Sequence, residues 1–143
     1  MLSLAQARSI VDEALASARD QSFPPMTVAV LDAGGHLLSF AREDRSSLLR
    51  ERIARGKALG ALNMGVGSRA LSARAESHPH FVSALVALAG GDLVPVPGGV
   101  LVRDPSSREI LGALGVTGHL SDNDEACAVH AIEAVGLLAD PGS

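Results

Sequence analysis

Apolar side chains recur at helical spacing in the N-terminal segment. Ser3 has the position of an N-cap, and Gln6 three residues later completes a capping box. The apolar positions beyond it form one stripe opposite a charged face; they are Ala7, Ile10, Val11, Ala14, Leu15 and Ala18. Phe23-Pro24-Pro25 cannot continue a helix. The pattern predicts one amphipathic helix that begins after Ser3 and ends before Phe23.

The next segment has the pattern of a β-hairpin. Residues 26–31 are apolar and rich in β-branched side chains, as is typical of a strand. Asp32-Ala33-Gly34-Gly35 is a strong turn sequence, and residues 36–40 continue as a return strand. We therefore predict two antiparallel strands joined by a tight turn.

Helical patterns occupy the middle of the chain. The first begins at Ser46 and runs to about Leu62. Its apolar stripe is formed by Leu49, Ile53, Ala54, Lys57, Ala58 and Ala61. Shorter helices are predicted over residues 68–75 and 79–89, and Gly90-Gly91 ends the second of them.

Strand-like segments and a last helix complete the pattern. The segments cover residues 93–96, 100–103 and 109–116, with tight turns at 98–99 and 104–107. Ser121 and Asp124 predict the N-cap of a last helix that runs through Leu138, and residues 140–143 are expected to be a frayed end. This order predicts an α+β fold, with a central, mostly antiparallel sheet of about five strands flanked by helices. We expect a single domain over residues 1–143.

The composition restricts the side chains from which the core is built. Hydrophobic residues make up 47% of the chain, but Phe23, Phe40 and Phe81 are its only aromatic residues. The core must therefore consist mainly of Ala, Val, Leu and Ile. Such a chain often gains core by self-association, so we expect a homo-oligomer.

Charge and cysteine content exclude several function classes. A net charge of −4 provides no basic field for nucleic acid, and no aromatic platform exists on which bases could stack. No apolar stretch approaches the ~20 residues that span a bilayer, and the N-terminus does not resemble a secretory signal. Cys127 is the only cysteine and cannot form an intrachain disulfide. We expect a cytoplasmic protein that binds neither nucleic acid nor membrane.

Lys57 is anomalous because it lies within the apolar stripe of the second helix. An ammonium in that position must reach solvent, pair with a carboxylate or face a cavity. In a cavity it would attract a carboxylate ligand, or act as a base if desolvation lowered its pKa. Arg42, near the exit of the hairpin, would add to a cationic patch.

The junction between the last long strand and the last helix is a second candidate. Thr117-Gly118-His119 lies there, where backbone N–H groups and a helix N-terminus can face an anion. Asp124 and Glu125 follow in the first turn of the helix, where they act either as dipole and capping charges or as site residues. His36 follows the hairpin turn and faces either solvent or a pocket.

The remaining motif searches identify no known catalytic or metal-binding motif. The sequence contains no P-loop, C-x-x-C, H-E-x-x-H or G-x-S-x-G motif. His78-Pro79-His80 has no identifiable third ligand, so no metal site is predicted.

Several segments together resemble the GlcG/HbpS-like family. They are the hairpin of residues 28–37, Pro95-Val96-Pro97-Gly98-Gly99-Val100, and the strand end of residues 112–118 that leads to Asp124-Glu125-Ala126-Cys127. The resemblance covers essentially the whole chain. It implies a central antiparallel sheet flanked by helices, assembled as dimers and larger rings. It also implies haem or tetrapyrrole binding in some members, with Thr117 at the position of a haem-ligating threonine.

Two hypotheses of function follow. In the first, an oligomeric protein binds haem or another anionic organic ligand near Lys57 and the following site residues: Arg42, Thr117, Gly118, His119 and Glu125. In the second, a cofactor-independent lyase, isomerase or hydrolase acts on a small carbonyl or carboxylate compound, with Lys57, His36 and Asp124 as acid/base groups. A partner protein without a ligand is the third alternative. The lack of aromatic residues favours only weak haem binding, through His119 or His36.

Overall fold

The structure is a computed structural model that describes residues 1–142. Helices pack on both faces of one five-stranded sheet. In chain order the elements are α1 (Leu4–Asp20), β1 (Thr27–Asp32), β2 (Leu37–Arg42), α2 (Arg50–Met64), α3 (Ser68–Ser77), α4 (Pro79–Leu88), β3 (Gly99–Arg103), β4 (Ile110–Thr117), α5 (Ser121–Ala134) and β5 (Leu138–Asp140). The strand order is β2-β1-β4-β3-β5, and every neighbouring pair is antiparallel. The predicted fold class is therefore confirmed.

The two faces of the sheet pack against different helices. Side chains alternate between the faces along each strand, so each face contributes its own set of core residues. One face packs against α1 and α5 through the valines of β1 and β3, together with Leu114 and Val116 of β4. The other face packs against α2, where Leu31, Leu101 and Ala113 of the sheet contact Ala58 and Ala61 of the helix. The sheet is thus covered on both sides, and the end of β4 is reached by α2 from one side and by α5 from the other.

Small residues allow α2 to lie directly on the sheet. A Cβ atom on Gly115 would collide with the carbonyl oxygen of Ala54, and one on Gly99 would collide with the carbonyl group of Lys57. The backbone of α2 therefore contacts the backbone of β3 and β4. This close approach explains how a chain with few aromatic residues fills its core.

The local signals at the N-terminus are confirmed. Ser3 caps α1, and its side chain and that of Gln6 form the reciprocal bonds of a capping box. The hairpin forms as predicted from β1 and β2. α2 begins at Arg50 rather than at Ser46, because Ser46 is held in a turn by the carbonyl of Glu43.

Four predictions in the second half of the chain are wrong. Residues 93–96 are extended but pair with no strand; Val94 N–H instead bonds the carbonyl of Gly56. The last helix ends at Ala134, before Gly136 with its φ of +79°, and residues 138–140 pair with β3 as β5. The expected frayed end is therefore partly a strand; Ser143 lies outside the described residues. Ser121 and Asp124 do not form the predicted cap of α5. The N-cap is Leu120, whose side chain makes no capping hydrogen bond.

No helix among residues 1–142 is both long enough and apolar enough to cross a membrane.

Candidate functional site

A buried ion pair joins α2 to α5. Lys57 Nζ lies 3.1 Å from Asp124 Oδ2, and the two side chains are only 2% and 1% exposed. Lys57 also donates a hydrogen bond of 2.9 Å to the carbonyl oxygen of Val116 at the end of β4. Of the three environments considered for this lysine, the structure shows the pair with a carboxylate.

Burial makes both members of the pair easier to neutralise than they are in water. Burial lowers the pKa of the Lys57 ammonium, against the opposing effect of the Asp124 charge. Burial likewise raises the pKa of the Asp124 carboxyl, against the opposing effect of Lys57. Each charge is therefore stabilised by the other. Removing either one would leave its partner buried without a counter-charge and would lower the free energy of unfolding.

The pair holds the loop between β4 and α5 at two points. Lys57 binds the carbonyl of Val116 just before Thr117, and Asp124 Oδ1 accepts a bond of 2.9 Å from the backbone N–H of His119 within the loop. Between them Gly118 has a φ of +150° and lies against Pro25, whose carbonyl oxygen would be 2.5 Å from an added Cβ. Thr117, Gly118 and His119 are thus held in one conformation.

Arg50 reaches the same loop and was not predicted as a site residue. Its Nη1 donates a hydrogen bond of 2.7 Å to Thr117 Oγ1. Arg50 begins α2, where the positive end of the helix dipole disfavours a cation. The sequence predicted a helix start at Ser46, so the unusual position of Arg50 as the first residue of the helix is visible only in the structure.

His119 is half-buried at the start of α5. Its ring packs edge-on against Phe23, with the ring centroids 4.8 Å apart and an interplanar angle of 64°. Within residues 1–142 the ring nitrogens of His119 make no hydrogen bond. Leu120, the next residue in the chain, is an apolar residue that is 69% exposed.

Arg42 lies in the same row of the sheet as Thr117. Thr27 of β1 is directly opposite Thr117 on one side and Arg42 on the other. The guanidinium of Arg42 donates to the carbonyl oxygen of Ser46. A cavity of about 320 Å³ lies beside this row, lined by Arg19, Pro25, Arg42, Glu43 and Asp44.

Two predicted site residues lie elsewhere. His36 is at the hairpin turn with its side chain 82% exposed, and its Nδ1 is 3.2 Å from Asp32 Oδ1. The turn is at the opposite end of β1 from Thr27, about 17 Å away for five residues of strand. Glu125 Oε2 is 2.9 Å from Arg69 Nε, and this pair joins α3 to α5. The structure therefore brings together Lys57, Thr117, Gly118, His119 and Asp124, with Arg42 nearby, but not His36 or Glu125.

Solved structures with the same fold support the architecture. A complex of PduOC with haem superposes with a TM-score of 0.85 at 24% identity, covering 95% of this chain and 96% of that one. The ORFY protein of Klebsiella pneumoniae gives 0.83 at 21% identity, covering 93% and 89%. A double mutant of HbpS from Streptomyces reticuli gives 0.81 at 24% identity, covering 94% and 87%. At these identities the likeness shows the fold alone.

The family is shown by sequence. No curated protein matches the chain at a significant level. The profile of the family described as "Haem degrading protein HbpS-like" matches residues 2–133, which is nearly the whole chain. The chain therefore belongs to the HbpS-like family.

Proposed function

We propose that this protein is an oligomeric small-molecule-binding protein that holds haem, or another anionic organic ligand, beside the loop of residues 117–119. Its family and the haem bound by the similar PduOC support a tetrapyrrole as the ligand. We further propose the cytoplasm as its location, since Cys127 is its only cysteine and is buried.

The observation that carries the proposal is the environment of His119. Imidazole is a common axial donor to haem iron, and a donor needs a free ring nitrogen and a fixed backbone. His119 has both, because its ring nitrogens bond no described residue and its N–H is held by Asp124. Phe23 and Leu120 would contribute apolar contacts to a macrocycle. Bound haem would supply a redox-active iron, while the protein would supply the ligand, the apolar walls and the cationic groups.

Acid/base catalysis by Lys57 or Asp124 has less support. The two side chains already bond each other, Lys57 also bonds Val116 and Asp124 also bonds His119, so either group would have to give up a structural bond to reach a substrate. A general acid or base must come within hydrogen-bond distance of the substrate. The geometry instead favours a role in which this pair keeps the binding loop in place.

We propose that α4 contributes to self-association. It is the most apolar helix of the chain, yet of its residues only Val82 is buried. Leu88 is 86% exposed and Phe81 is 45% exposed; Met64 and Val66, each 37% exposed, lie with Phe81 around one groove. A second copy that covers this surface would remove apolar area from water.

A haem titration tests the proposed function. We expect haem to give a Soret shift of modest affinity with the wild type and with His36→Ala, and no shift with His119→Ala, which alters a loop residue and should leave the fold intact. His36→Ala is the matched control because its ring is exposed at the other end of the sheet. A tight, stoichiometric band that survives both substitutions would contradict ligation by histidine and point to oxygen ligation through Thr117. No band with the wild type would contradict haem binding and favour the cofactor-independent enzyme.

A further inference from the structure

The guanidinium of Arg50 is fixed on one side and free on the other. Thr117 Oγ1 accepts from Nη1, and Thr117 itself is only 1% exposed, so the guanidinium is anchored at a rigid point of the sheet. Arg50 Nε and Nη2 make no hydrogen bond within residues 1–142, and no carboxylate of that range lies within 4 Å. The remaining N–H edge has the fork geometry that binds a carboxylate through two hydrogen bonds.

Two buried hydroxyl groups close to Arg50 have no partner. Thr27 is 0% exposed and Ser46 is 7% exposed, and neither Thr27 Oγ1 nor Ser46 Oγ has a hydrogen-bond partner among the described residues. Burying a hydroxyl without a partner is costly, so native structures rarely leave one unpaired. Two of them at one place indicate a polar site that a ligand or solvent completes.

The register of the sheet places the hydroxyl group of Thr27 beside the anchor of Arg50, and Ser46 lies four residues before Arg50 in the turn that leads to α2. Thr27 is directly opposite Thr117, so the two side chains lie on the same face of the sheet about 5 Å apart at their Cβ atoms. Arg42 is directly opposite Thr27 on its other side and donates to the carbonyl of Ser46. Thr27 and the anchor of Arg50 therefore lie side by side on β1 and β4, and Arg42 of β2 connects this row to the turn that contains Ser46.

The start of α2 adds a positive potential, with Glu51 as the acidic residue of its first turn. Leu49 is its N-cap and provides no side-chain acceptor to the first N–H groups of this 15-residue helix. The carboxylates near this end are bonded within the protein or exposed. Glu43 bonds Arg19 and Met26, and Glu51 pairs with Arg55. Asp124, whose charge also acts on Arg50, bonds Lys57 and the N–H of His119, and Asp44 is exposed. An added anion would therefore meet a cation, a helix N-terminus and two hydroxyl donors.

We propose that Arg50, with the hydroxyl groups of Thr27 and Ser46, is the receptor for a carboxylate group of the ligand. Thr117 is then a positioning residue that orients Arg50 through its Oγ1. The inference rests on the proposed function in that the ligand is an anionic organic molecule; in haem the group that binds is a propionate. Thr27 and Thr117 face α2, whereas His119 packs on Phe23 on the side of α1 and α5, so a ligand that uses both sites would extend around this end of the sheet.

Comparing the affinities for haem and for haem dimethyl ester tests the carboxylate site separately from haem binding, since the ester has no free carboxylate. We expect the wild type to bind haem at least about tenfold more tightly than the ester. Arg50→Gln should lose most of this preference, because the hydroxyl groups that remain cannot replace the charge of the guanidinium. Arg55→Gln, on the same helix and partly exposed, should behave as the wild type. Equal affinity of the wild type for the two compounds, or a full preference in Arg50→Gln, would overturn the proposal while leaving haem binding intact.

The role of Thr117 has its own test. Thr117→Val keeps the side-chain shape but removes the acceptor for Arg50 Nη1, so the preference for haem over the ester should fall. Thr117→Ser restores an acceptor and should restore the preference, which a merely structural role would not require. An undiminished preference in Thr117→Val would overturn the positioning role.

A measurement without haem tests the carboxylate site even if the protein does not bind haem. Succinate titrated into the ¹⁵N-labelled protein should cause saturable shifts of the amide signals of Thr27, Ser46 and Thr117. The shifts should be absent from Arg50→Gln, whose unfolding temperature checks that it is folded. Absence of saturable shifts in the wild type would overturn the carboxylate site, whatever the result with haem.

Discussion

Replacing Lys57 with methionine isolates the contribution of the buried ion pair. Methionine keeps much of the length and apolar bulk of lysine but removes the ammonium that lies 3.1 Å from Asp124. Because Asp124 is 1% exposed, its carboxylate would remain buried without a counter-charge. The carbonyl of Val116 would also lose its donor. We therefore expect Lys57→Met to fold less stably than the wild type.

The expected loss is large for a domain of this size. Removing one partner of a buried ion pair costs about 3–5 kcal/mol, because the remaining charge is left uncompensated. The whole free energy of unfolding of a domain is about 5–15 kcal/mol. A loss of 1 kcal/mol lowers Tm by about 2–4 °C in domains near this length, so Tm should fall by roughly 6–20 °C.

The loss should depend on pH in a direction set by Asp124. Burial raises the pKa of this carboxyl above its ordinary value of 3.8, and losing Lys57 removes the main opposing charge. The folded state then binds a proton more readily than the unfolded state, so the penalty is fully present above the folded pKa. It disappears as the pH falls through that value towards 3.8. The stability deficit of Lys57→Met should therefore shrink from about pH 7 to about pH 4.

Urea and thermal unfolding followed by circular dichroism measure the effect. Asp124→Asn combined with Lys57→Met removes both charges and keeps an acceptor for the N–H of His119, so it should recover at least half of the loss. A single variant within about 1 kcal/mol of the wild type at neutral pH would refute the reasoning. So would a double variant that is no more stable than Lys57→Met. Unchanged haem affinity in a folded Lys57→Met would show that Lys57 contributes packing alone.

Two further predictions concern the close packing of α2 and the apolar surface of α4. Gly115→Ala should lose about 1–3 kcal/mol in urea unfolding, because its Cβ meets the backbone of Ala54, whereas Gly34→Ala meets only the flexible His36 ring and should lose less. Equal losses would contradict the close contact. Leu88→Glu should lower the oligomer mass measured by light scattering, while Leu4→Glu, an exposed apolar position on α1, should not. An unchanged mass in Leu88→Glu would exclude this part of α4 from the interface.

Local signals allowed most of the fold to be predicted, and tertiary contacts account for the errors. The hairpin depends on a turn sequence and two short apolar runs, all of which are local. Residues 93–96 have the composition of a strand, but Pro95 and Pro97 cannot donate to a ladder. β5 was missed because residues 138–140 continue the apolar spacing of α5, although Gly136 was a usable stop signal.

The candidate site could be predicted only in part, because its contacts join distant parts of the sequence. Lys57 was identified from its position in an apolar stripe, but nothing local indicated that Asp124 is its partner. Asp124 has the spacing of a capping box with Ser121, but the N-cap is Leu120, and Asp124 bonds Lys57 and the N–H of His119 instead. Arg50 was not predicted as a site residue, because an arginine near a helix start is usually a surface residue and its bond to Thr117 joins distant parts of the sequence.

Electron paramagnetic resonance of the ferric haem complex tests the central claim most directly, because it identifies the axial ligand. With the wild type we expect the signature of a nitrogen ligand, which His119→Ala should abolish and His36→Ala should retain. That outcome would place the iron beside the loop that Lys57 and Asp124 hold. A signature that is unchanged in His119→Ala would contradict the account.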